Sequence, residues 1–353
     1  MKTNKQNPDF PHLGEKLLKW YDFHGRDLPF RNTQTPYNIW ISEIIFQQTR
    51  IDQGLSYYTK FIHRFPTISD LAVAPQDEVL LYWKGLGYYS RALNLHKTAK
   101  IIHVDRNGIF PTAYQDLLKL PGIGKYTAAA IVSICYGVAM PAVDGNFYRV
   151  FSRLFADDFD VSNASAFQYY SDLALRVMPK TNPGEFNQAI MDLGSSMCKP
   201  KNPDCEKCPF VDDCLAFQLG KVQEFPYKSK KQKVSEQSMD YYFITFQDRF
   251  FIQQRDDLGI WKKLFELPQT LPDRLSECIV STSTVEHKLS HRKLKINFHH
   301  VVVEDEKDFI SIAKSNSNIC INPLQLQRYA FPKPIDNYLK TRAFSSSIPL
   351  NSL

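Results

Sequence analysis

The hydrophobic period of this 353-residue chain changes once, and that change limits what it can fold into. From residue 10 to about 220, apolar residues recur near helical spacing in LGEKLLKWYDF, IWISEIIFQQTRIDQGLSYYTKFIHRF, EVLLYWKGLG, SRALNLHKTAKIIHV, KYTAAAIVSICYG and FNQAIMDLGSSM. Pro66, Pro75, Pro111, Pro121, Pro141 and Pro179 punctuate the series, so short helix–turn–helix links and an all-α domain are expected. Beyond residue 240 the period drops to two. YYFITFQDRFFIQQ reads as two strands around Gln247–Arg249, KLKINFHHVVVED as a further strand, and PIDNYLKTRAF as a closing helix. Between the two regimes PYKSKKQKVSEQSM is polar and lysine-rich with no period, as a linker is. The expectation is a multidomain chain: an all-α domain over 1–225, a linker over 226–239 and an α+β domain over 240–353.

Composition excludes the unusual classes. Hydrophobic residues make up 43% and charged residues 23%, as in ordinary globular proteins. No apolar run reaches the roughly 18 residues of a membrane span, and the N-terminus has lysines without a signal-peptide core. A cytoplasmic protein is expected, associated with the nucleoid if the cell is bacterial. The net charge of +6 permits a polyanionic partner without requiring one.

Four of seven cysteines crowd into CKPKNPDCEKCPFVDDC, where Cys198, Cys205, Cys208 and Cys214 are separated by six, two and five residues. That suits metal ligation better than a disulfide scaffold. Spacing alone leaves an iron–sulfur cluster and a Cys₄ zinc site both open. Upstream, LPGIGKYTAAAI places Gly122 and Gly124 in a turn before a helix, with Lys125 next to them. Helix-terminal amides and a close backbone approach would favour a phosphate, and a plain helix–helix connection is the alternative. In WISEIIFQQT, Glu43 lies among apolar residues, on a stripe continued by Gln47 and Arg50. A carboxyl in such surroundings is either paired with an arginine or held neutral. Asp144 opens DGNFYRVFSRLF, as a helix N-cap does.

The hairpin, AVDGN at 142–146 and the cysteine loop closely resemble the helix-hairpin-helix DNA glycosylase superfamily. The match is tighter with its MutY family of adenine glycosylases, because WISEIIFQQT, LYWKGLGYYSRALNLHKTA, LPGIGKYTAAAI, AVDGNFYRV and FNQAIMDLG follow in order over roughly 10–225. The resemblance implies one 4Fe–4S cluster on the four cysteines. It implies Glu43 as the acid that protonates adenine and Asp144 as the carboxylate facing the sugar, with Tyr126 and Asn146 assisting. That division of labour suits N-glycosidic cleavage. One acid protonates the leaving group, which asks for a raised pKa, and one ionised carboxylate faces the oxocarbenium-like sugar. Helix amides would keep Asp144 ionised.

By the same resemblance Arg31 and Trp40 line the adenine pocket, with Phe30 where many relatives have Trp. Gln48, Leu86 and Tyr88 intercalate beside the opposite base, and Gly122, Gly124 and Lys125 hold backbone phosphates. The second domain resembles the Nudix-like domain of that family but lacks an acidic Nudix box, so pyrophosphate hydrolysis is not expected. Ser290 and His291 stand in the loop that finds 8-oxoguanine, after a Leu289 where relatives have Phe. DLGIWKKLFELP departs from the usual Gly-Leu-Trp-Gly pattern.

The expected function is monofunctional hydrolysis of adenine mispaired with 8-oxoguanine or guanine in duplex DNA, by a monomer with no membrane partner. The alternatives are an endonuclease III-like glycosylase/AP lyase and a lesion-binding protein without turnover. Lyase relatives carry a lysine where this chain has Tyr126, and Lys125 lies about 100° around the helix. A pure binder needs neither Glu43 nor Asp144.

Overall fold

The computed structural model describes residues 10–229, 235–289, 292–315 and 318–343, which fall into two compact units. The first comprises Met1–Ala72 and Lys97–Lys231, the second Val73–His96 and Gln232–Leu353. Helices α1 (Pro11–His24), α2 (Pro36–Ile45), α3 (Ile51–Arg64) and α4 (Ile68–Val73) lead to α5 (Gln76–Tyr82) and α6 (Ser90–Asp105). Then come α7 (Tyr114–Leu117), α8 (Lys125–Tyr136), α9 (Gly145–Leu154), α10 (Ala166–Leu175), α11 (Pro183–Ser196) and α12 (Leu215–Gln218).

The first unit is built around α8. Thr127 through Ser133 are all buried, and a helix without a polar face belongs inside. Its end is set by Gly137 in left-handed backbone, whose neighbour Val138 returns its N–H to Val132 O at 3.1 Å. Helix α11 crosses close to both α8 and the start of α9. A Cβ on Gly194 would lie 2.7 Å from Asn146 Cβ, so only glycine lets α11 approach there. Helix α1 covers this layer, packing Leu13, Leu17 and Trp20 into the cluster of Phe147, Phe151 and Phe186.

The stretch IWISEIIFQQTRIDQGLSYYTKFIHRF, read as one helical run, is two helices. Phe46 turns back onto Phe30, with ring centroids 4.8 Å apart, and Gln48 takes left-handed backbone at φ 57°. The polar seam expected through Gln47 and Arg50 is therefore a turn, with Thr49 N–H bonded to Phe46 O at 3.2 Å. Apolar spacing continued across the break because Phe46 is needed on the core side of both helices.

The second unit carries strands β1 (Ser235–Phe246), β2 (Arg249–Gln254), β3 (Phe265–Glu266), β4 (Ile279–Lys288), β5 (Arg292–Val302) and β6 (Asn318–Ile321), with helices α13 (Glu306–Ser315) and α14 (Lys333–Ala343). Strand order is β3-β2-β1-β5-β4, with β6 against β2. β1 and β5 are parallel from Ser235↔Arg292 to Thr245↔Val302. Each face has its own apolar layer: Tyr241, Ile296 and Phe298 pack with Ile335 and Leu339 of α14, while Ile244, Phe251 and Val301 pack with Phe309 of α13.

Two expectations change here. The stretch read as linker to residue 239 is strand from Ser235 onward. Its first residues are exposed, so they carry no alternation to betray a strand. Residues 73–96, read as part of the helical domain, group with the sheet unit.

Candidate active site

A cavity of about 550 Å³ opens in the first unit, within the roughly 300–1,000 Å³ usual for small-molecule sites. Glu43, Tyr126, Asp144, Asn146, Arg31 and Gln48 all line it, although they come from four separate stretches of sequence. Apolar side chains, among them Leu28, Phe30, Ile39, Phe46 and Met191, supply much of the remaining wall.

Glu43 reaches the cavity from the last turn of α2, between buried Ile41, Ser42, Ile44 and Ile45. Burial pushes its carboxyl up to about 7. A hydrogen bond with Tyr126 opposes the shift, the charge of Asp144 adds to it, and Arg31 opposes it. A group poised there holds a usable proton near neutral pH. Tyr126 stands on the first turn of α8, and its phenol is pushed well above the ordinary tyrosine range by burial and by the two carboxyls. It therefore stays protonated and can donate to Glu43.

Asp144 is the N-cap of α9, as its place in the sequence predicted. Its Oδ1 accepts Phe147 N–H at 2.8 Å and its Oδ2 accepts Asn146 Nδ2 at 3.0 Å. Burial raises its pKa, and the Phe147 and Asn146 hydrogen bonds act against that. The helix amides thus favour the ionised form in the expected direction, while burial outweighs them. Asn146 is held in turn by Arg149, whose Nη2 donates to Asn146 Oδ1 and to Gly194 O, both at 2.7 Å. Arg149 Nε donates to Cys198 O at 2.7 Å, which joins this corner of the cavity to the cysteine loop.

Arg31 lines the cavity from the short turn after α1, but its guanidinium is already engaged. Nη1 and Nη2 donate to the two oxygens of Asp192 at 2.6 and 2.8 Å. Arg26 adds bonds to the same carboxylate from its main-chain N–H at 2.9 Å and its Nε at 2.8 Å. Burial alone would push Asp192 up, yet the bonds from Arg31 and Arg26 hold it below the usual carboxylate range. Sequence reasoning missed Asp192, Arg26 and Arg149. Asp192 carried the signal that singled out Glu43, an acid within the apolar run of α11. Gln188, also missed, lines the cavity and accepts Tyr21 OH at 2.9 Å.

Trp40 departs from expectation. It is fully buried, edge-on to Phe110 at 5.4 Å, and it does not line the cavity. Trp40 precedes Glu43 by three positions but points into the core behind α2, and Phe30 supplies an aromatic wall.

The hairpin lies between α7 and α8. Gly122 takes left-handed backbone at φ 78°, and Gly124 is the N-cap of α8 with no side-chain cap. Lys125 Nζ sits 5.0 Å over the Phe167 ring and is absent from the cavity wall. The four loop cysteines line one small cavity with Arg153, Met197 and Phe210. Arg153, 2% exposed, points Nη1 to Cys198 Sγ at 3.4 Å. Among the described residues no set of three ligating side chains is gathered as a single metal ion requires.

In the second unit Tyr88 is 48% exposed, whereas Leu86 is 8% exposed and turned inward. Ser290 and His291 lie outside the described residues.

Residues 41–168 match the HhH-GPD superfamily of base excision DNA repair proteins, and residues 241–341 match the NUDIX domain. The adenine DNA glycosylase of Buchnera aphidicola subsp. Baizongia pistaciae is 35% identical over 350 residues, 94% of this chain and 97% of that one. The human adenine DNA glycosylase is 40% identical over 211 residues, 57% of this chain and 39% of that one. Among solved structures, a thermostable thymine-DNA glycosylase aligns with a TM-score of 0.55 and 29% identity, over 59% of this chain and 96% of that one. Endonuclease III in a DNA complex, at 23% identity and a TM-score of 0.51, shares the fold of the helical part. With full-length similarity to a named relative and both domain matches in place, this chain belongs to the adenine DNA glycosylase family and is a base-excision-repair DNA glycosylase.

Proposed function

We propose that this glycosylase binds duplex DNA and hydrolyses the N-glycosidic bond of adenine paired with 8-oxoguanine, or with guanine. The observation that carries the reading is the pair of unlike carboxyls in one cavity. Burial pushes both up, Glu43 to about 7, and Asp144 is also met by the amides that open α9, which act against that shift. Extruding adenine costs a few kcal/mol of stacking and pairing, least at a mispair. In the cavity Glu43 gives its proton to a ring nitrogen of adenine. The bond from C1′ to the base then breaks with its electron pair leaving on neutral adenine. Asp144 stabilises the cationic sugar, or captures it at C1′ until water replaces it, and the product is an abasic site. Tyr126 orients Glu43, Asn146 orients Asp144, and Arg31 meets the base edge from a position fixed by Asp192.

Gln48 and Tyr88, both exposed and both in left-handed backbone, enter the duplex, while Leu86 is buried in the same loop as Tyr88. Gly122, Gly124 and Lys125 take a backbone phosphate at the uncapped start of α8. The Nudix-like domain reads 8-oxoguanine through Ser290 and His291. Cys198, Cys205, Cys208 and Cys214 suit one 4Fe–4S cluster. The four cysteines line a common cavity, and buried Arg153 offers positive charge to an anionic group. A bound cluster would tie the loop together; the hydrolysis itself is redox-neutral and needs no electron from it. Lys125, turned toward Phe167, is placed poorly for Schiff-base lyase chemistry. No described helix is long and apolar enough to cross a membrane. A monomer at the cytoplasmic nucleoid completes the proposal.

The test is adenine release from duplexes carrying adenine opposite 8-oxoguanine, guanine or thymine. Release should be fastest in the first and slowest in the last, and Glu43→Gln should slow it by about 10²–10⁴-fold. Equal release from all three, or full activity of Glu43→Gln, would contradict the proposal.

A further inference from the structure

Residues Trp83–Tyr89, between α5 and α6, form a loop held in an uncommon shape. Gly85 (φ 101°), Gly87 (φ 72°) and Tyr88 (φ 46°) all take left-handed backbone, which a tyrosine adopts only under constraint. Some constraint is internal. Trp83 Nε1 donates to Gly87 O at 3.1 Å, and Arg91 Nη2 donates to Leu86 O and Gly87 O at 3.3 Å each.

The rest comes from the far end of the chain, within the same unit. Lys84 Nζ pairs with Asp336 Oδ1 at 2.9 Å and donates to Tyr329 O at 3.3 Å, and it lies 5.7 Å over the Phe331 ring. Tyr89 OH accepts Gly85 N–H at 3.3 Å and donates to Phe331 O at 3.5 Å. Gln254 Nε2 of β2 holds Asp77 Oδ1 of α5 at 2.9 Å. Side-chain exposures of 23% for Lys84 and 16% for Asp336 leave this pair less screened than a surface pair. Asp336 also pairs with Lys340 one turn along α14, at 2.6 Å.

We propose that Asp336, acting through Lys84, is a positioning residue for the Tyr88 tip, so that the C-terminal part of the chain takes part in extruding the target base. The strained tip keeps its shape because α14 and the segment before it over-determine the loop that carries it. The proposal rests on the reading of Tyr88 as a residue that enters the duplex.

The test uses the full chain in a Glu43→Gln background, so that an extruded base is not released. Its probe is a duplex with 2-aminopurine as the target base, whose fluorescence rises when it unstacks. Asp336→Asn and Lys84→Met should each slow or reduce that rise by about three- to tenfold, between the effects of exposed and buried pairs. The double variant should lose no more than either single one, because the two residues act through one contact. Lys340→Met, which removes only the helix-surface partner of Asp336, should leave the signal unchanged. Should Asp336→Asn fail to fold, Lys84→Met against Lys340→Met decides the matter. A loss in Tyr88→Ala with none in Asp336→Asn or Lys84→Met would overturn the positioning role while sparing the reading of Tyr88. A normal rise in Tyr88→Ala would overturn both, and additive losses in the double variant would overturn the shared contact.

Discussion

Two carboxyls of the first unit, both set within apolar helices, have opposite fates. Asp192, 1% exposed, gathers Arg26 and Arg31 and is held below the usual carboxylate range. Glu43 has Tyr126 as its hydrogen-bond partner and is pushed up to about 7. Both began as the same sequence signal, an acid inside an apolar helical run. The difference is who received the arginines. A buried ion pair was the plain alternative for Glu43, and the structure gives that pair to Asp192, leaving Glu43 its proton. One acid locks the cavity wall, and the other stays available for chemistry.

The contrast breaks most visibly at Asp192. Replacing it with Asn leaves two clustered guanidiniums facing a neutral amide. Loss of one partner from a buried ionic network costs about 3–5 kcal/mol. Denaturant unfolding should show a loss of that size, and a change under 1 kcal/mol would mean the arginines find other partners.

Glu43→Gln should do the reverse, and with a pH signature. Because the folded pKa lies above the unfolded value, the folded state keeps a proton that the unfolded chain has released. Wild-type stability is therefore eroded as pH rises from about 4.5 to about 7. The variant lacks that erosion. Its stability relative to wild type should climb across this window and level off above it, by about 3–3.5 kcal/mol at 1.36 kcal/mol per unit. Parallel unfolding curves at pH 5 and pH 8 would contradict it. Asp192 has the opposite sign, since a depressed carboxyl contributes stability that is lost as pH falls through its folded pKa.

How much of this was legible in the sequence follows from the same two acids. Glu43 and Asp144 could be singled out from the residues around them, whereas Tyr126 and Asn146 came from the resemblance to the MutY family. The period change revealed both folds, and Asp144 could be read as a cap because capping is local. What stayed hidden was non-local. The Arg31–Asp192 pairing spans 161 positions, and nothing near Arg31 announces it. Trp40 was placed in the pocket by the resemblance, and its sequence could not correct that, because apolar spacing does not tell the cavity side of α2 from its core side. The break at Phe46–Arg50 was masked by apolar residues serving two helices at once. Strand β1 began inside a polar stretch because its first residues have no buried face.

A smaller change sharpens the account. The hydrogen bond from Tyr126 favours the ionised form of Glu43, so Tyr126→Phe should raise the pKa of Glu43 further. The pH limit of adenine release should move to higher pH by about half a unit to one unit, with a modest drop in rate. A shift to lower pH would show that Tyr126 acts mainly on Asp144.

The central claim is that burial keeps Glu43 protonated so that it can give its proton to adenine. Single-turnover adenine release from a duplex with adenine opposite 8-oxoguanine, followed from pH 5 to 9, tests it most directly. The account predicts a wild-type rate that falls about tenfold per pH unit above about 7, and a residual Glu43→Gln rate without that limb. A wild-type rate that stays level to pH 9, or a Glu43→Gln variant that keeps the same limb, would contradict it.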